Sequence, residues 1–298
     1  MAWLDVLKSV LYGIVEGVTE WLPVSSTGHL LILERFVPFR AGADAAGNAD
    51  FFSFFLVVIQ LGAVLAVVVT FWNQLWPFPR KRRQMGGGRS LSFGVDREIL
   101  RLWVMILVAC VPAAIVGVLF DRKIEELFYN PWTVALMLFL VGLAFLVVEY
   151  LVRQRRRQPA IRTVAEIDWK TAVLIGLFQL IAAVLPGTSR SGATIVGGLL
   201  IGMSRPAAAT FTFFLAVPVM AGASLLKILK IGLHFNTIQW LSIFTGMGVA
   251  YLVSTLIIRF LLDYIRRHDF RVFAFYRILL ALLILGLALS GAFKTAAL

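Results

Sequence analysis

The chain has 298 residues, of which 60% are hydrophobic and only 15% are charged. An average soluble domain is about 45–50% apolar and about 25% charged, so this composition excludes a soluble enzyme, a disordered tail and a disulfide scaffold. The single cysteine, Cys110, lies in an apolar run and has no partner for an intrachain disulfide. The composition therefore indicates a polytopic membrane protein.

The formal charge is +12, from 28 Lys and Arg against 16 Asp and Glu. In a soluble protein this excess would suggest a nucleic-acid partner. In a membrane protein it reflects the enrichment of Lys and Arg in cytoplasmic loops, and we expect no nucleic-acid partner. No secretory signal peptide is visible in residues 1–30, because Glu16 and Glu20 interrupt the apolar run.

The first apolar segment, residues 3–33, is broken at residues 23–28 by Pro-Val-Ser-Ser-Thr-Gly. Neither half is long enough to span a bilayer, so we predict a re-entrant helical hairpin. Glu16 and Glu20 share one helix face, and two carboxylates in an apolar segment need a compensating cation. A divalent cation, Mg²⁺ or Ca²⁺, would compensate them. The alternative is a helix at the interface whose carboxylates are hydrated.

The turn that breaks this segment is a candidate phosphate site. Pro23 cannot continue the helix, and Ser25, Ser26 and Thr27 can cap the next one. The start of that helix would offer unpaired N–H groups to a phosphate. His29 lies near the same turn and is a candidate nucleophile or general acid/base. A structural histidine is the alternative.

Six further stretches are long and apolar enough to cross a bilayer. They are residues 51–72, 102–120, 132–152, 207–229, 238–262 and 272–293. The loops at residues 80–101 and 153–162 are strongly basic, and so is the region around Arg266, which predicts that all three are cytoplasmic. The loop at residues 121–130 then lies outside. This sidedness makes the first hairpin enter from the outer face and the second from the cytoplasmic face.

The second broken segment, residues 169–203, is interrupted at residues 186–192 by Pro-Gly-Thr-Ser-Arg-Ser-Gly. Glycines let the backbone curl around an anion, hydroxyl groups donate hydrogen bonds, and Arg190 offers a bidentate fork to phosphate oxygens. An arginine at membrane depth is costly unless it is paired. The alternative is therefore a structural ion pair between Arg190 and Glu16 or Glu20.

The two broken segments resemble each other in sequence. At an offset of 163 residues, Gly13 matches Gly176, Pro23 matches Pro186, and Ser26 matches Ser189. The following helices match at an offset of 159, Phe-Ser-Phe-Phe-Leu at residues 52–56 against Phe-Thr-Phe-Phe-Leu at residues 211–215. We predict a single membrane domain over residues 1–298, built from an inverted repeat of residues 1–152 and 168–294 with a midplane site.

Residues 16–29, 58–67 and 186–194 together resemble the undecaprenyl-diphosphate phosphatase family associated with bacitracin resistance. The resemblance implies an enzyme of the bacterial inner membrane with six spanning helices and two opposed re-entrant hairpins. It implies removal of one phosphate from a polyprenyl diphosphate with a divalent metal, which recycles the lipid carrier for cell-wall synthesis.

The resemblance and the motif chemistry together predict the site. Glu16 and Glu20 hold the metal, and Glu20, Ser26, His29 and Arg190 are the catalytic candidates, with Ser26 and His29 both open as the attacking group. The residues expected to bind phosphate are Ser25, Thr27, Gly187, Thr188, Ser189, Arg190, Ser191 and Thr194.

Two positions depart from the family pattern, which has acidic residues where this chain has Leu56 and Thr210. A change in metal affinity or activity is the expected consequence. A polyprenyl-phosphate flippase or secondary transporter is the alternative function, because broken helices in inverted repeats are also typical of transporters. The sequence leaves the chain-length preference and the oligomeric state open, with a homodimer among the alternatives.

Overall fold

The computed structural model describes residues 2–39, 45–78, 80–85, 88–154 and 158–293. These residues form eleven α-helices, a short 3₁₀ helix at Val164–Glu166 and one antiparallel hairpin. The helices are α1 (Ala2–Thr19), α2 (Ser26–Phe36), α3 (Ala45–Thr70), α4 (Trp72–Leu75), α5 (Arg97–Phe128), α6 (Pro131–Gln154), α7 (Trp169–Val184), α8 (Arg190–Ile201), α9 (Arg205–Ile231), α10 (Thr237–Arg267) and α11 (Arg271–Leu289). The hairpin strands are β1 (Arg80–Met85) and β2 (Gly88–Phe93), with Arg80 opposite Phe93.

Six of the described helices, α3, α5, α6, α9, α10 and α11, are long and apolar enough to cross a membrane. Each coincides with one of the six stretches predicted from the sequence, so the prediction of an all-α polytopic membrane protein is confirmed. Large apolar side chains such as Leu107, Leu229 and Leu279 lie exposed on their outer surfaces, as expected where lipid is the solvent.

The prediction of a loop over residues 121–130 is wrong, because the connection in the structure is much shorter. Helix α5 continues through most of these residues and ends at Phe128. Arg122 and Glu126, one turn apart, form an ion pair at 3.3 Å, and such pairs favour helix. The connection to α6 is therefore only Tyr129 and Asn130.

The two broken segments are helix–turn–helix units in the structure. Helix α1 ends at Thr19 and α2 begins at Ser26, while α7 ends at Val184 and α8 begins at Arg190. Pro23 and Pro186 lie inside the turns, where a missing N–H costs nothing. The insertion of these units into the membrane as re-entrant hairpins stays a prediction.

The helix contacts relate the two halves of the chain. Helix α1 packs along α10, and α7 packs along α5. A Cβ atom on Gly13 of α1 would lie 2.6 Å from Gly246 O, and one on Gly176 of α7 would lie 2.5 Å from Ala109 O. Gly13 and Gly176 are the residues that the predicted repeat aligns. Small residues allow such close packing in membranes, and this equivalence supports the repeat, which stays a prediction.

Candidate active site

The two turns face each other and enclose a cavity of about 240 Å³, here called the inner cavity. Its polar lining residues come from four helices and from both turns. They are Glu20, Ser26, Thr27, Gln60, Gln179, Ser189 and Arg190. The structure thus brings both predicted motifs to one site. Gln60 and Gln179 are also part of its wall, although neither was among the predicted site residues.

Three predicted site residues form one connected group. Ser26 Oγ donates to Glu20 Oε2 at 2.8 Å, and Arg190 Nη2 donates to Glu20 Oε1 at 3.1 Å. Arg190 Nη1 also donates to Thr212 O at 2.7 Å. The ion pair considered as an alternative for Arg190 is therefore present. It does not remove Arg190 from the anion site, because the residue still lines the inner cavity.

Glu16 lies one turn before Glu20 and is completely buried. Neither of its carboxylate oxygens has a hydrogen-bond partner among the described residues. A buried carboxylate without a partner is strongly unfavourable, and a cation held between two carboxylates would relieve it. Carboxylate oxygens are the donors that a hard divalent ion prefers, and Glu16, which is not among the residues that line the inner cavity, comes before Glu20 in the same helical segment. No group of three or more His, Cys, Asp or Glu side chains around such a position occurs in the described part of the chain.

His29 is engaged on the other side of the turn. Its Nδ1 lies 2.7 Å from Ser25 O, and its Nε2 lies 2.6 Å from the hydroxyl of Tyr276, whose ring stacks on the imidazole. His29 is not among the residues that line the inner cavity. This geometry favours the structural interpretation of His29 over the catalytic one.

The remaining predicted phosphate-binding residues divide into two groups. Thr27, Gly187 and Ser189 line the inner cavity. The other four, Ser25, Thr188, Ser191 and Thr194, are buried beside it and are not among its lining residues.

The two buried residues of α8 have structural partners. Ser191 Oγ donates to Glu20 O at 3.2 Å, and Thr194 Oγ1 donates to Arg190 O at 2.8 Å. Ser191 and Thr194 therefore position Glu20 and Arg190. By contrast, the hydroxyl groups of Ser25 and Thr188 have no partner in the described structure.

The backbone is strained at one residue in each turn. Ser25 has φ 72° and Ser189 has φ 67°, and no other non-glycine residue in the described part of the chain has a positive φ. Such conformations cost about 1–3 kcal/mol and tend to occur at functional sites. Each serine directly precedes a helix. By backbone conformation, the counterpart of Ser189 is therefore Ser25. The sequence alignment pairs Ser189 with the next residue, Ser26.

Arg277 is a site residue that sequence reasoning missed. It is completely buried, and its guanidinium donates to Pro23 O at 3.2 Å, Gly187 O at 2.9 Å and Thr188 O at 2.8 Å. One cation therefore joins both turns. The signal in the sequence was a lone arginine inside the apolar span at residues 272–293, where a charge is by default functional or paired.

The two family-pattern departures lie in different places. Leu56 lines a second cavity of about 350 Å³, here called the outer cavity, which shares six lining residues with the inner one. Thr210 is half-buried on α9 and lines neither cavity. Leu56 thus lies on the wall of the cavity next to the site, whereas Thr210 lies on the wall of neither cavity.

Known proteins are similar to this chain over nearly its full length. An undecaprenyl-diphosphatase 1 of Clostridium acetobutylicum is 50% identical over 96% of this chain and 98% of its own length. Undecaprenyl-diphosphatases of Desulfitobacterium hafniense and Enterococcus faecalis are 47% and 48% identical, over 96% and 95% of this chain and 96% and 97% of their own lengths. The family model described as bacitracin resistance protein BacA matches residues 9–283. This chain belongs to the BacA bacitracin resistance protein family.

Proposed function

We propose that this protein hydrolyses undecaprenyl diphosphate to the monophosphate and inorganic phosphate at the inner cavity. Family membership and the curated relatives support the reaction. The single structural observation that carries the site assignment is the bonded group of Ser26, Glu20 and Arg190 on the cavity wall. An enzyme of this kind recycles the lipid carrier of cell-wall synthesis.

Substrate binding begins with the terminal phosphate in the inner cavity. The Arg190 guanidinium is held in place by Glu20 and by Thr212 O, so it is oriented before the substrate arrives. Preorganised donors of this kind stabilise charge in a transition state without reorganisation. Ser189 and Thr27 add hydroxyl groups at the same wall.

The attacking group is Ser26 Oγ, or a water molecule that Ser26 positions. Glu20 Oε2 already accepts the Ser26 proton in a hydrogen bond, which suits it to act as the general base. Attack on the terminal phosphorus breaks its bond to the bridging oxygen, and the electron pair stays on the lipid phosphate. If Ser26 attacks, water then releases inorganic phosphate from the serine. His29, bonded to Tyr276, supports the turn that carries Ser26.

A divalent cation fits this site at Glu16 and Glu20. Mg²⁺ commonly takes one or two carboxylates together with substrate phosphate oxygens, and Glu16 has both carboxylate oxygens unpartnered. When bound, the cation neutralises phosphate charge and polarises the phosphoryl oxygens. We propose Mg²⁺ or Ca²⁺ for this role.

The flippase alternative is not favoured. Transport of an anion needs positive charge and an access path, but it does not need a hydroxyl group hydrogen-bonded to a carboxylate beside the bound phosphate. The Ser26–Glu20 pair has this arrangement, and the named relatives are phosphatases. The transporter hypothesis leaves the pair without a role.

We also propose the membrane position of the protein. It is a multi-pass membrane protein of a bacterial family. Lys and Arg are in excess in the connections after α4 and α6, and Arg266, Arg267 and Arg271 lie at the adjoining ends of α10 and α11, which favours a cytoplasmic location for these regions. The turn between α1 and α2 then opens to the outer face of the inner membrane.

The test is phosphate release from a long-chain polyprenyl diphosphate by the detergent-purified full chain, with Mg²⁺, with Ca²⁺ and with a chelator. We expect metal-dependent release that is lost in Glu20→Gln and Arg190→Ala. Variants that melt like the wild type and still turn over at the wild-type rate would overturn the site assignment. A folded wild-type protein that binds the lipid without releasing phosphate would instead support transport.

A further inference from the structure

The outer cavity continues the inner one and carries a cation of its own. The two cavities share Ser26, Thr27, Gln60, Ala182, Ala183 and Pro186, so they adjoin each other. Lys227, from α9, lines the outer cavity and not the inner one. The substrate carries two phosphates, and the site described so far assigns a cationic side chain to only one of them.

Lys227 is chemically available for an anion. Its side chain is half-buried, and it has no hydrogen-bond or ion-pair partner within the described residues. Glu125 lines the same cavity but lies beyond ion-pair distance of Lys227. A half-buried ammonium group without a counter-ion is costly, and a phosphate oxygen would offset that cost with a charge-assisted hydrogen bond.

The order of the two cavities matches the order of groups in the substrate. Arg190 lines the inner cavity, where the terminal phosphate reacts. Besides Lys227, Ser53, Glu125 and Tyr129, the outer cavity is lined by the apolar side chains of Leu30, Leu56, Val57 and Ile124. The phosphate that stays on the lipid must lie between the terminal phosphate and the hydrocarbon chain, and the outer cavity, which Lys227 lines, offers both polar and apolar side chains.

Glu125 is the one acid that lines the outer cavity among the described residues, and Leu56 adds no second one. Leu56 of α3 is apolar, so it neither pairs with the lysine nor repels a phosphate. Arg190 is already bonded to Glu20 and only partly compensates a diphosphate. A cationic side chain in the outer cavity would add to the charge compensation of a doubly phosphorylated ligand at membrane depth.

We infer that the outer cavity is a binding site for the lipid-linked phosphate and that Lys227 is the residue that holds it. This inference rests on the proposed function. It assigns Lys227 to binding of the diphosphate substrate and of the monophosphate product. Inorganic phosphate leaves from the inner cavity, so its binding does not depend on Lys227.

The experiment compares Lys227→Met, Lys227→Gln and Lys227→Arg with the wild type and with Lys123→Met, which removes an exposed lysine of α5 that lines neither cavity. We measure kcat and KM for phosphate release, and equilibrium binding of polyprenyl monophosphate, which needs no turnover. We expect Lys227→Met and Lys227→Gln to raise KM and the Kd of the monophosphate about tenfold, as expected for one lost charge-assisted contact, with kcat nearly unchanged.

The outcomes separate this inference from the proposed function. We expect Lys227→Arg to have KM and Kd values close to those of the wild type, because it keeps the positive charge. Inhibition by inorganic phosphate should be the same in every variant. Wild-type values of KM and Kd in Lys227→Met, with normal activity in the wild type, would overturn the inference alone. An inactive wild type would overturn the proposed function, and monophosphate binding would still test Lys227.

Discussion

The guanidinium of Arg277 donates to the carbonyl oxygen of Gly187 at 2.9 Å, across 90 positions of sequence. The same side chain reaches Pro23 O at 3.2 Å, so α11 supports both turns of the site from behind. Carbonyl groups in turns have no helical partner, and at membrane depth water does not replace one. The geometry of the inner cavity therefore depends on a residue that does not line it.

Replacing Arg277 with Met should destabilise the fold and lower activity together. The change leaves buried carbonyl oxygens of both turns unpaired, and loss of hydrogen bonds to a charged group costs about 2–4 kcal/mol in sum. The measurement is thermal denaturation in detergent beside phosphate release. Arg259→Met, which removes an exposed arginine of α10, is the matched control. An Arg277→Met protein with unchanged melting temperature and activity would show that the turns hold each other without it.

Replacing Glu16 with Gln should affect stability and activity in opposite directions. In a chelator, the neutral amide removes the cost of a buried, unpartnered carboxylate, so we expect a higher melting temperature, equivalent to about 1–3 kcal/mol. Divalent metal should raise the melting temperature of the wild type but not that of Glu16→Gln, and phosphate release should be lost. Glu34→Gln, on the exposed side of α2, is the control. An equal response of Glu16→Gln and wild type to metal would contradict the metal role of Glu16.

Replacing Ser26 should lower kcat far more than replacing His29. Because Ser26 Oγ bonds to Glu20 on the cavity wall, Ser26→Ala should lower kcat by about a thousandfold or more. His29→Gln loses bonds to Ser25 O and Tyr276, each worth about 1 kcal/mol, and should keep activity within about tenfold. The measurement is single-turnover phosphate release, with Ser290→Ala as an exposed control. A larger loss in His29→Gln than in Ser26→Ala would exchange their roles.

The sequence predicted the features that depend on neighbouring residues, namely the helices and their breaks. It did not predict the contacts between residues that are far apart in the chain. Uninterrupted apolar runs located the six spanning helices, and the prolines of the two turns located the breaks. The pairing of Glu20 with Arg190 was open before the structure, because the two residues are 170 positions apart. The position of His29 was misleading for the same reason, since its partner Tyr276 comes from α11 and lies 247 positions away. The lone charge of Arg277 in an apolar span could have identified it as a site residue. The carbonyl groups that it binds could not have been predicted, because they lie far away in the sequence.

The two strained serines should respond differently to glycine. Ser25→Gly relieves a positive φ at a residue whose hydroxyl group has no partner in the described structure, so we expect a gain of about 1 kcal/mol in stability. Ser189 also caps α8, its Oγ accepting from Gly192 N at 3.2 Å. Ser189→Gly removes this cap bond, which has a worth of about 1 kcal/mol, and so its net change should be close to zero.

Thermal denaturation of both glycine variants in detergent, beside Ser25→Ala and Ser189→Ala, checks this difference. Each alanine variant keeps the strained backbone position, so Ser25→Ala should melt below Ser25→Gly, and Ser189→Ala should be the least stable of the four because it loses the cap and keeps the strain. Phosphate release measured on the same samples separates stability from function, since Ser189 lines the inner cavity and Ser25 does not. A Ser25→Gly protein that melts well below the wild type would mean that the hydroxyl group of Ser25 stabilises the turn after all.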